Sequence, residues 1–326
     1  MKRIAVIGAG GTIAMQGAHR FDWVDYGDTG IVNRVDKLIA AMDFGLATVE
    51  VMPVHFRTLG STGISVADWL ELNATVTALA QGTDVDGIVV THGTATLEDT
   101  AFFLSLIYRG DKPVVICGAQ RPPNTDGSDV VTSVRSALTA AAQAASGTYV
   151  AMNGYLYDPA TVSKTANFAL DAFEDPEFGP LGRIDADGTL AMRRSVRRNV
   201  SALAPALRAR TDLPRVDIVY SYAGADGVQI DACVRAGARA IISAGFPPGR
   251  CTPQERNALI RAVDAGVLVV QSSRALRGAV PVQPYNRDKG ILAGGNLAPN
   301  KIRIAVMLAL TLELSPKEIE DFLVGF

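Results

Sequence analysis

Short apolar, β-branched runs alternate along this chain with longer stretches whose apolar positions are spaced for helices. Residues 4–7, 49–53, 87–91, 113–118 and 149–152 read as buried strands between polar or Ala-rich segments. Continuous apolar runs of strand length are what a sheet covered on both faces demands, so the pattern predicts an α/β fold. Helix starts are expected at Ser65, ahead of 67–81, and at Thr96, where Asp99 three positions on suggests a capping box. A third is expected at Ser128, before an Ala-rich run to Ser146, with Gly110 and Gly147 placed as helix stops.

After Met152 the alternation dissolves into a polar stretch bearing Gly and Pro, and it resumes at Val216. Beyond that point the pattern offers strands 216–220, 240–244 and 267–271, with helices over 229–236, 253–265, 300–312 and 316–324. The expected organisation is a larger N-terminal α/β domain with a mostly parallel sheet over residues 1–194, a connecting segment over 195–214, and a smaller C-terminal α/β domain over 215–326. No fixed-period repeat or low-complexity segment interrupts it.

Charge narrows the partners. With 31 basic against 33 acidic residues and no basic stripe, nucleic acid and anionic membrane surfaces are not expected. Apolar stretches are strand-sized or broken by charge and Gly, so no membrane span is expected. The charged start and apolar run at the N-terminus resemble a secretory signal only superficially. They lead straight into Gly8, Gly10 and Gly11 without a cleavage-type boundary, and are read as a first strand in a cytoplasmic protein. Cys117, Cys233 and Cys251 are too few and scattered for a disulfide framework or a zinc site, and each is read as a small core or surface residue.

In open parallel sheets, small-molecule chemistry sits beyond the carboxyl ends of the strands. The first strand ends in Gly8-Ala-Gly-Gly-Thr12-Ile-Ala-Met. A dinucleotide fingerprint is weak here, because its third glycine would fall at Ile13 and the next segment, 16–30, is polar and lid-like. A sharp glycine turn that presents the Thr12 hydroxyl fits a nucleophile or an anion-binding loop, or simply a turn-capping Thr. Another strand ends in Thr91-His-Gly-Thr94-Ala95-Thr96 and passes into a helix with Glu98 and Asp99 in its first turn. Hydroxyls and the free N–H groups of a helix start suit a carboxylate or an oxyanion. His92 has no accompanying carboxylate or serine pattern and is read as a structural hydrogen-bonding residue, and metal binding is unsupported for the same reason.

Taken together, Gly10-Gly11-Thr12-Ile13-Ala14, Leu59-Gly60-Ser61, Val90-Thr91-His92-Gly93-Thr94 with Thr96-Leu97-Glu98-Asp99-Thr100, and Gly118-Ala119-Gln120-Arg121-Pro122 resemble the bacterial-type L-asparaginase/glutaminase family. Lys164 in Val162-Ser-Lys-Thr-Ala-Asn, Val216-Asp-Ile-Val-Tyr and Ser272-Ser273-Arg274 extend the likeness over both domains. The resemblance implies an amidohydrolase of small amides, splitting a carboxamide into carboxylate and ammonia through a threonine acyl-enzyme, with no metal or organic cofactor. It also implies a homodimer or dimer of dimers, with sites between the N-terminal domain of one subunit and the C-terminal domain of its neighbour. On the matching positions, Thr12 is the nucleophile, Tyr26 its activator (with Phe21 the other lid aromatic that could match), Thr94 the second threonine and Lys164 the base paired with it. Ser61, Thr62, Gly93, Ala95, Gln283 and Arg250 fall where substrate is bound, Ser61 holding the α-carboxylate.

Four of those positions depart from the family pattern. Ala95 stands where an aspartate normally follows the second threonine, Thr62 where a glutamine follows the serine, Gln283 where the neighbouring subunit lends a glutamate, and Arg250 where an asparagine is usual. Groups expected to face a substrate α-ammonium are thereby lost, and removing one partner of a desolvated charge pair costs about 2–5 kcal/mol. The expected substrate keeps a carboxylate and a scissile amide but carries a neutral, acylated, cyclic or anionic group in place of the ammonium. Two alternatives stand beside this one. A conventional asparaginase or glutaminase could use Asp22 or Asp25 of the lid as the substitute carboxylate, and a noncatalytic binding protein could be built on the same scaffold. Retention of Thr12, Thr94 and Lys164 argues against the second.

Overall fold

In the computed structural model, which describes residues 1–196 and 212–326, the N-terminal unit (Met1–Val200) is organised around one eight-stranded sheet. The chain runs β1 (Lys2–Gly10), α1 (Val35–Ala40), β2 (Val49–Leu59), α2 (Val66–Gln81), β3 (Gly87–Thr91), α3 (Leu97–Ile107), β4 (Pro113–Cys117), α4 (Val130–Gln143) and β5 (Gly147–Met152). Strands β5, β4, β3, β1 and β2 lie side by side in that order, all parallel. The sheet then reverses through β6 (Tyr155–Tyr157). The chain makes a separate two-stranded hairpin, β7 (Ser163–Lys164) with β8 (Phe173–Glu174), and returns as β9 (Gly182–Ile184) and β10 (Leu190–Met192), both antiparallel additions beyond β6.

Both faces of the central strands are buried, which is why those strands read as unbroken apolar runs. Ile4, Val6, Val89 and Val115 join Val35, Leu38, Val134 and Leu138 in one core layer under α1 and α4. Their sequence neighbours Ile7, Ile88, Val90, Val114 and Ile116 point the other way and are equally inaccessible. On that side α2 and α3 bring Trp69 and Phe103, whose rings stack with centroids 5.2 Å apart. Each such side chain contributes about 1.5–3 kcal/mol on burial.

Several local expectations are corrected. β2 continues six residues beyond 53, because it pairs only with β1 and its outward positions alternate polar with apolar. An edge strand also tolerates Pro53. The capping box forms at Ser65 with Asp68, but not at Thr96: that hydroxyl donates instead to the main-chain oxygen of Ser61 at 2.6 Å. The third helix is preceded by Asp129, whose carboxylate accepts from the amides of Gln120 and Arg121 and so ties the helix start to the loop after β4. Gly110 and Gly147 do not end helices. The last turns close at Tyr108 and Ala144 in extended conformation, and Gly147 opens β5. The strands after Met152 went unpredicted although Asn153-Gly154, with φ of 49° and 76°, forms a two-residue turn of the kind that an Asn-Gly pair signals.

The C-terminal unit (Ser201–Phe326) holds a four-stranded parallel sheet, β11 (Val216–Tyr220), β12 (Ala240–Gly245), β13 (Leu268–Ser273) and β14 (Ile291–Ala293), in sequential order. Helices α5 (Val228–Arg235), α6 (Pro253–Asp264), α7 (Pro284–Arg287), α8 (Pro299–Thr311) and α9 (Pro316–Val324) complete it. Ile230, Ala258, Leu259 and Ala262 of α5 and α6 pack with Val219, Ile241 and Val269. Capping boxes at Thr252/Glu255 and Ser315/Glu318 start α6 and α9. Of the expected connecting segment 195–214, residues 197–211 lie outside the described residues. No helix among the described residues is long and apolar enough to cross a membrane.

Candidate active site

The carboxyl ends of β3, β1 and β2, adjacent in the sheet, converge through glycine. Gly10 and Gly11 take φ of 95° and 83°, which turns the chain sharply after β1 into a short 3₁₀ turn, Thr12–Ala14. A Cβ on Gly11 would lie 2.2 Å from the Cα of Gly93, and one on Gly93 would lie 2.3 Å from the Cβ of Ser61. The Gly11, Gly93 and Ser61 loops are therefore packed backbone against backbone, which brings Thr12, Ser61 and Thr94 into one neighbourhood. Both threonines are buried, at 4% and 5% exposure. Ala95 beside them is exposed, and so is Thr62.

Thr12 meets the lid. Its Oγ1 lies 2.7 Å from the hydroxyl of Tyr26, which rides on a 3₁₀ turn over Asp25–Thr29. Phe21 is 56% exposed and packs edge-on to Trp23, so of the two lid aromatics Tyr26 is the one that reaches Thr12. The loop is closed at its base by the Thr29 hydroxyl, which donates to the oxygens of Gln16 and Tyr26, and is tied to the 121–127 loop by paired hydrogen bonds between Gly17 and the Asn124 amide, both 2.8 Å. The guanidinium of Arg121 stacks over Trp23. The Asp22 carboxylate accepts from the amides of Ala18 and Asp25, each at 2.9 Å, and the Ala18 hydrogen bond holds it below the usual carboxylate range. It is engaged within its own loop.

Thr94 meets the β7–β8 hairpin. Lys164 Nζ donates to Thr94 Oγ1 at 2.8 Å, while the main-chain N–H of Lys164 donates to Glu98 Oε2 at 3.0 Å. Burial pushes the Lys164 ammonium below the ordinary lysine value, and the nearby negative charge of Glu98 opposes that shift.

His92 underpins this loop. Trp69 Nε1 donates to Thr100 Oγ1 at 2.8 Å, Thr100 Oγ1 lies 3.0 Å from His92 Nε2, and His92 Nδ1 lies 2.9 Å from the oxygen of Gly93. The carbonyl can only accept and the indole can only donate. The chain of donors therefore runs from Trp69 through Thr100 to a neutral imidazole protonated on Nδ1, consistent with burial pushing His92 down to about 4. The imidazole is fully engaged and is not placed as a general base.

Thr12, Tyr26, Ser61, Gly93, Thr94, Ala95 and Lys164 are thus drawn together within the N-terminal unit. Gln283 and Arg250 belong to the C-terminal unit. There the Gln283 amide donates to the oxygen of Pro248 at 3.1 Å and accepts from Asn286 and from the Tyr285 hydroxyl, and Arg250 lies over the Tyr285 ring. Sequence reasoning passed over Glu98 as a site residue, reading it only as a helix-start acid, and passed over Asn124. Nothing local marks either, because their partners lie 66 and 107 residues away. Among the described residues no group of three or more His, Cys, Asp or Glu is arranged to hold a metal.

Comparison with known proteins agrees over the whole chain. The N-terminal asparaginase family model matches residues 3–198, and the glutaminase/asparaginase C-terminal domain model matches 215–323. L-asparaginase 2 of Bacillus subtilis is 34% identical over 99% of this chain and 86% of its own length. A glutaminase-asparaginase of Pseudomonas fluorescens is 31% identical over 98% of this chain and 89% of its own. The crystal structure of a probable cytoplasmic L-asparaginase from Campylobacter jejuni, 33% identical, superposes with a TM-score of 0.92 over 99% of both chains. Fold and kinship together define a hydrolase of carbon–nitrogen bonds other than peptide bonds. The chain belongs to the bacterial-type asparaginase family.

Proposed function

We propose that the chain opens a side-chain carboxamide through a threonine ester, on an asparagine-like substrate that lacks a free α-ammonium. The observation that carries this is the pairing of two threonine hydroxyls on neighbouring strand ends, one with a phenol at 2.7 Å and one with an amine at 2.8 Å. A threonine hydroxyl attacks only when a neighbour takes its proton. Thr12 Oγ1 bonds to the carbonyl carbon as its proton passes to the Tyr26 oxygen, while the phenol gives up its own proton toward the amide nitrogen, so that Tyr26 ends neutral. The carbon–nitrogen bond then breaks and the nitrogen leaves as ammonia after accepting a proton. Water attacks the ester, its proton drawn through Thr94 to the neutral Lys164 amine. The acyl–oxygen bond breaks, Thr12 is reprotonated, and one water has been consumed for one carboxylate formed. Burial of Lys164 supports its part, since desolvation favours the unprotonated amine that a base requires.

For the substrate, the supporting observation is Ala95. An exposed methyl group stands beside Thr94 where the family motif carries an acid. Each oxygen of Asp22 accepts an amide of its own loop, which favours a role for it within the lid, and Asp25 is the other lid acid that a conventional asparaginase reading would call on. Ser61 remains to take the substrate carboxylate. Association with a second copy, which lends Gln283 and Arg250, belongs to the same proposal.

Ammonia release from purified protein tests it, with L-asparagine, L-glutamine, N-acyl asparagines, and ω-amides of keto and dicarboxylic acids as substrates. L-asparagine is expected to be poor beside the ammonium-free amides. Ala95→Asp should shift the kcat/KM ratio toward L-asparagine by about tenfold or more, the equivalent of roughly 1.4 kcal/mol. A wild-type preference for L-asparagine, or an unmoved ratio in Ala95→Asp, would sink the substrate proposal.

A further inference from the structure

Lys164 is held at both ends. Its amine reaches Thr94, and its main-chain N–H is received by a carboxylate, Glu98, four residues beyond Thr94 in the first turn of α3. The two contacts close a ring between one helix start and the β7–β8 hairpin. A neutral glutamine would receive that N–H equally well, and keeping a carboxylate partly buried costs desolvation. What the hydrogen bond leaves unexplained is the charge. Beside Thr94 this chain carries the methyl group of Ala95, and the carboxylate that hydrogen-bonds to the residue bearing the amine is Glu98.

We propose that Glu98 is the positioning acid of this site: its carboxylate fixes the strand that carries Lys164 and sets how tightly the Lys164 amine holds its proton. The inference rests on the proposed role of Lys164 as a base. The charged groups around the amine are consistent with it. From α3, Glu98 acts on Lys164 directly, opposing the effect of burial. Across the hairpin Lys164 pairs with Phe173, whereas Glu174 pairs with Ser163 and so points to the opposite face. The loop below contributes His92, which is neutral and spent on Thr100 and Gly93. Without Glu98, burial would act unopposed and the amine would lose its proton at lower pH.

The pH profile of kcat/KM separates this from a merely structural role. In Glu98→Gln, which keeps an acceptor for the Lys164 N–H but removes the charge, the acidic limb should move to lower pH by about half a unit or more, with the sign set by loss of a favourable charge on the ammonium. KM should change less than kcat. In Glu98→Asp the charge is retained, and the limb should stay nearer the wild-type position than it does in Glu98→Gln. An acidic limb in Glu98→Gln that coincides with wild type overturns the inference. Should Glu98→Gln not fold, Glu98→Ser, judged by the same limb, decides in the same way. Lys164→Met is the control for the underlying reading. Retained activity there would refute Lys164 as the base, whereas lost activity with an unmoved Glu98→Gln limb would refute the role of Glu98 alone.

Discussion

The two threonines of this site look alike and are held differently. Thr12 and Thr94 each follow a parallel strand and each is almost wholly buried. The partner of Thr12 arrives on a surface loop whose own side chains, Phe21 and Val24, are 56% and 65% exposed, and which is latched by side-chain hydrogen bonds to Asn124. The partner of Thr94 sits in a hairpin pinned to α3, over a loop braced by the Trp69–Thr100–His92 chain. One hydroxyl is served by a lid and the other by the framework. Two similar hydroxyls are thus held in two ways, one by a phenol on a loop attached through side-chain hydrogen bonds and one by an amine on a hairpin tied to a helix start.

The most drastic test of that comparison removes each hydroxyl in turn. Thr12→Ala and Thr94→Val should each lower kcat by about a thousandfold or more, and the double variant should be little worse than either, because groups that act in one reaction are not additive. Single-turnover kinetics with mass detection should show no acyl-enzyme in Thr12→Ala. In Thr94→Val an ester that forms and persists would assign the second pair to deacylation. Independent, multiplicative losses would break the two-pair picture.

A second test contrasts glycines of the framework and the lid. In Gly93→Ala the new methyl group meets Ser61 Cβ at 2.3 Å and Ser61 Cα at 2.4 Å, so backbone must shift, and a loss of about 3 kcal/mol in stability is expected together with most of the activity. Gly30→Ala closes the lid turn at φ of 66° with nothing within 4 Å, so only backbone strain of about 1 kcal/mol is expected. Thermal unfolding and kcat/KM of the two variants measure the difference, and equal effects would remove the distinction between lid and framework.

The third test uses acid. Burial lowers His92 from 6.5 to about 4, so the folded protein binds fewer protons there than the unfolded chain between those values. Stability is therefore lost as pH falls from about 6.5 to about 4, by up to about 3 kcal/mol in all, and no more is lost to this residue below that. Denaturant unfolding at pH 7 and pH 4.5 should show a smaller difference in His92→Gln than in wild type. An identical difference would mean that the histidine does not govern the acid response of the framework loop.

Most of this architecture was legible in the sequence where burial is complete on both faces. Strands β1, β3, β4 and β5 appear as unbroken apolar runs, and the glycines before Thr12 announce the sharp turn. What escaped was decided at longer range. The end of β2 alternates because it forms a sheet edge, and the hydroxyl of Thr96 forgoes its own helix for Ser61, a contact spanning 35 residues that no local rule ranks above a capping box. The site was legible by residue type and by family likeness, and the hydroxyl pairings required coordinates. Tyr26 and Phe21 are both lid aromatics in the sequence, and only the 3₁₀ turn over Asp25–Thr29 distinguishes them.

The Asn153-Gly154 turn has a meaning beyond sheet topology. Everything before it supplies hydroxyls: Thr12, Tyr26, Ser61 and Thr94. The amine arrives only afterwards, because the reversal at this turn sends the chain back along the sheet before the Lys164 hairpin is made. During synthesis, a chain released up to this point would carry Thr12 and Thr94 but not the amine that donates to Thr94. The Thr94–Lys164 pair is therefore completed late, after two residues with positive φ let the chain turn around.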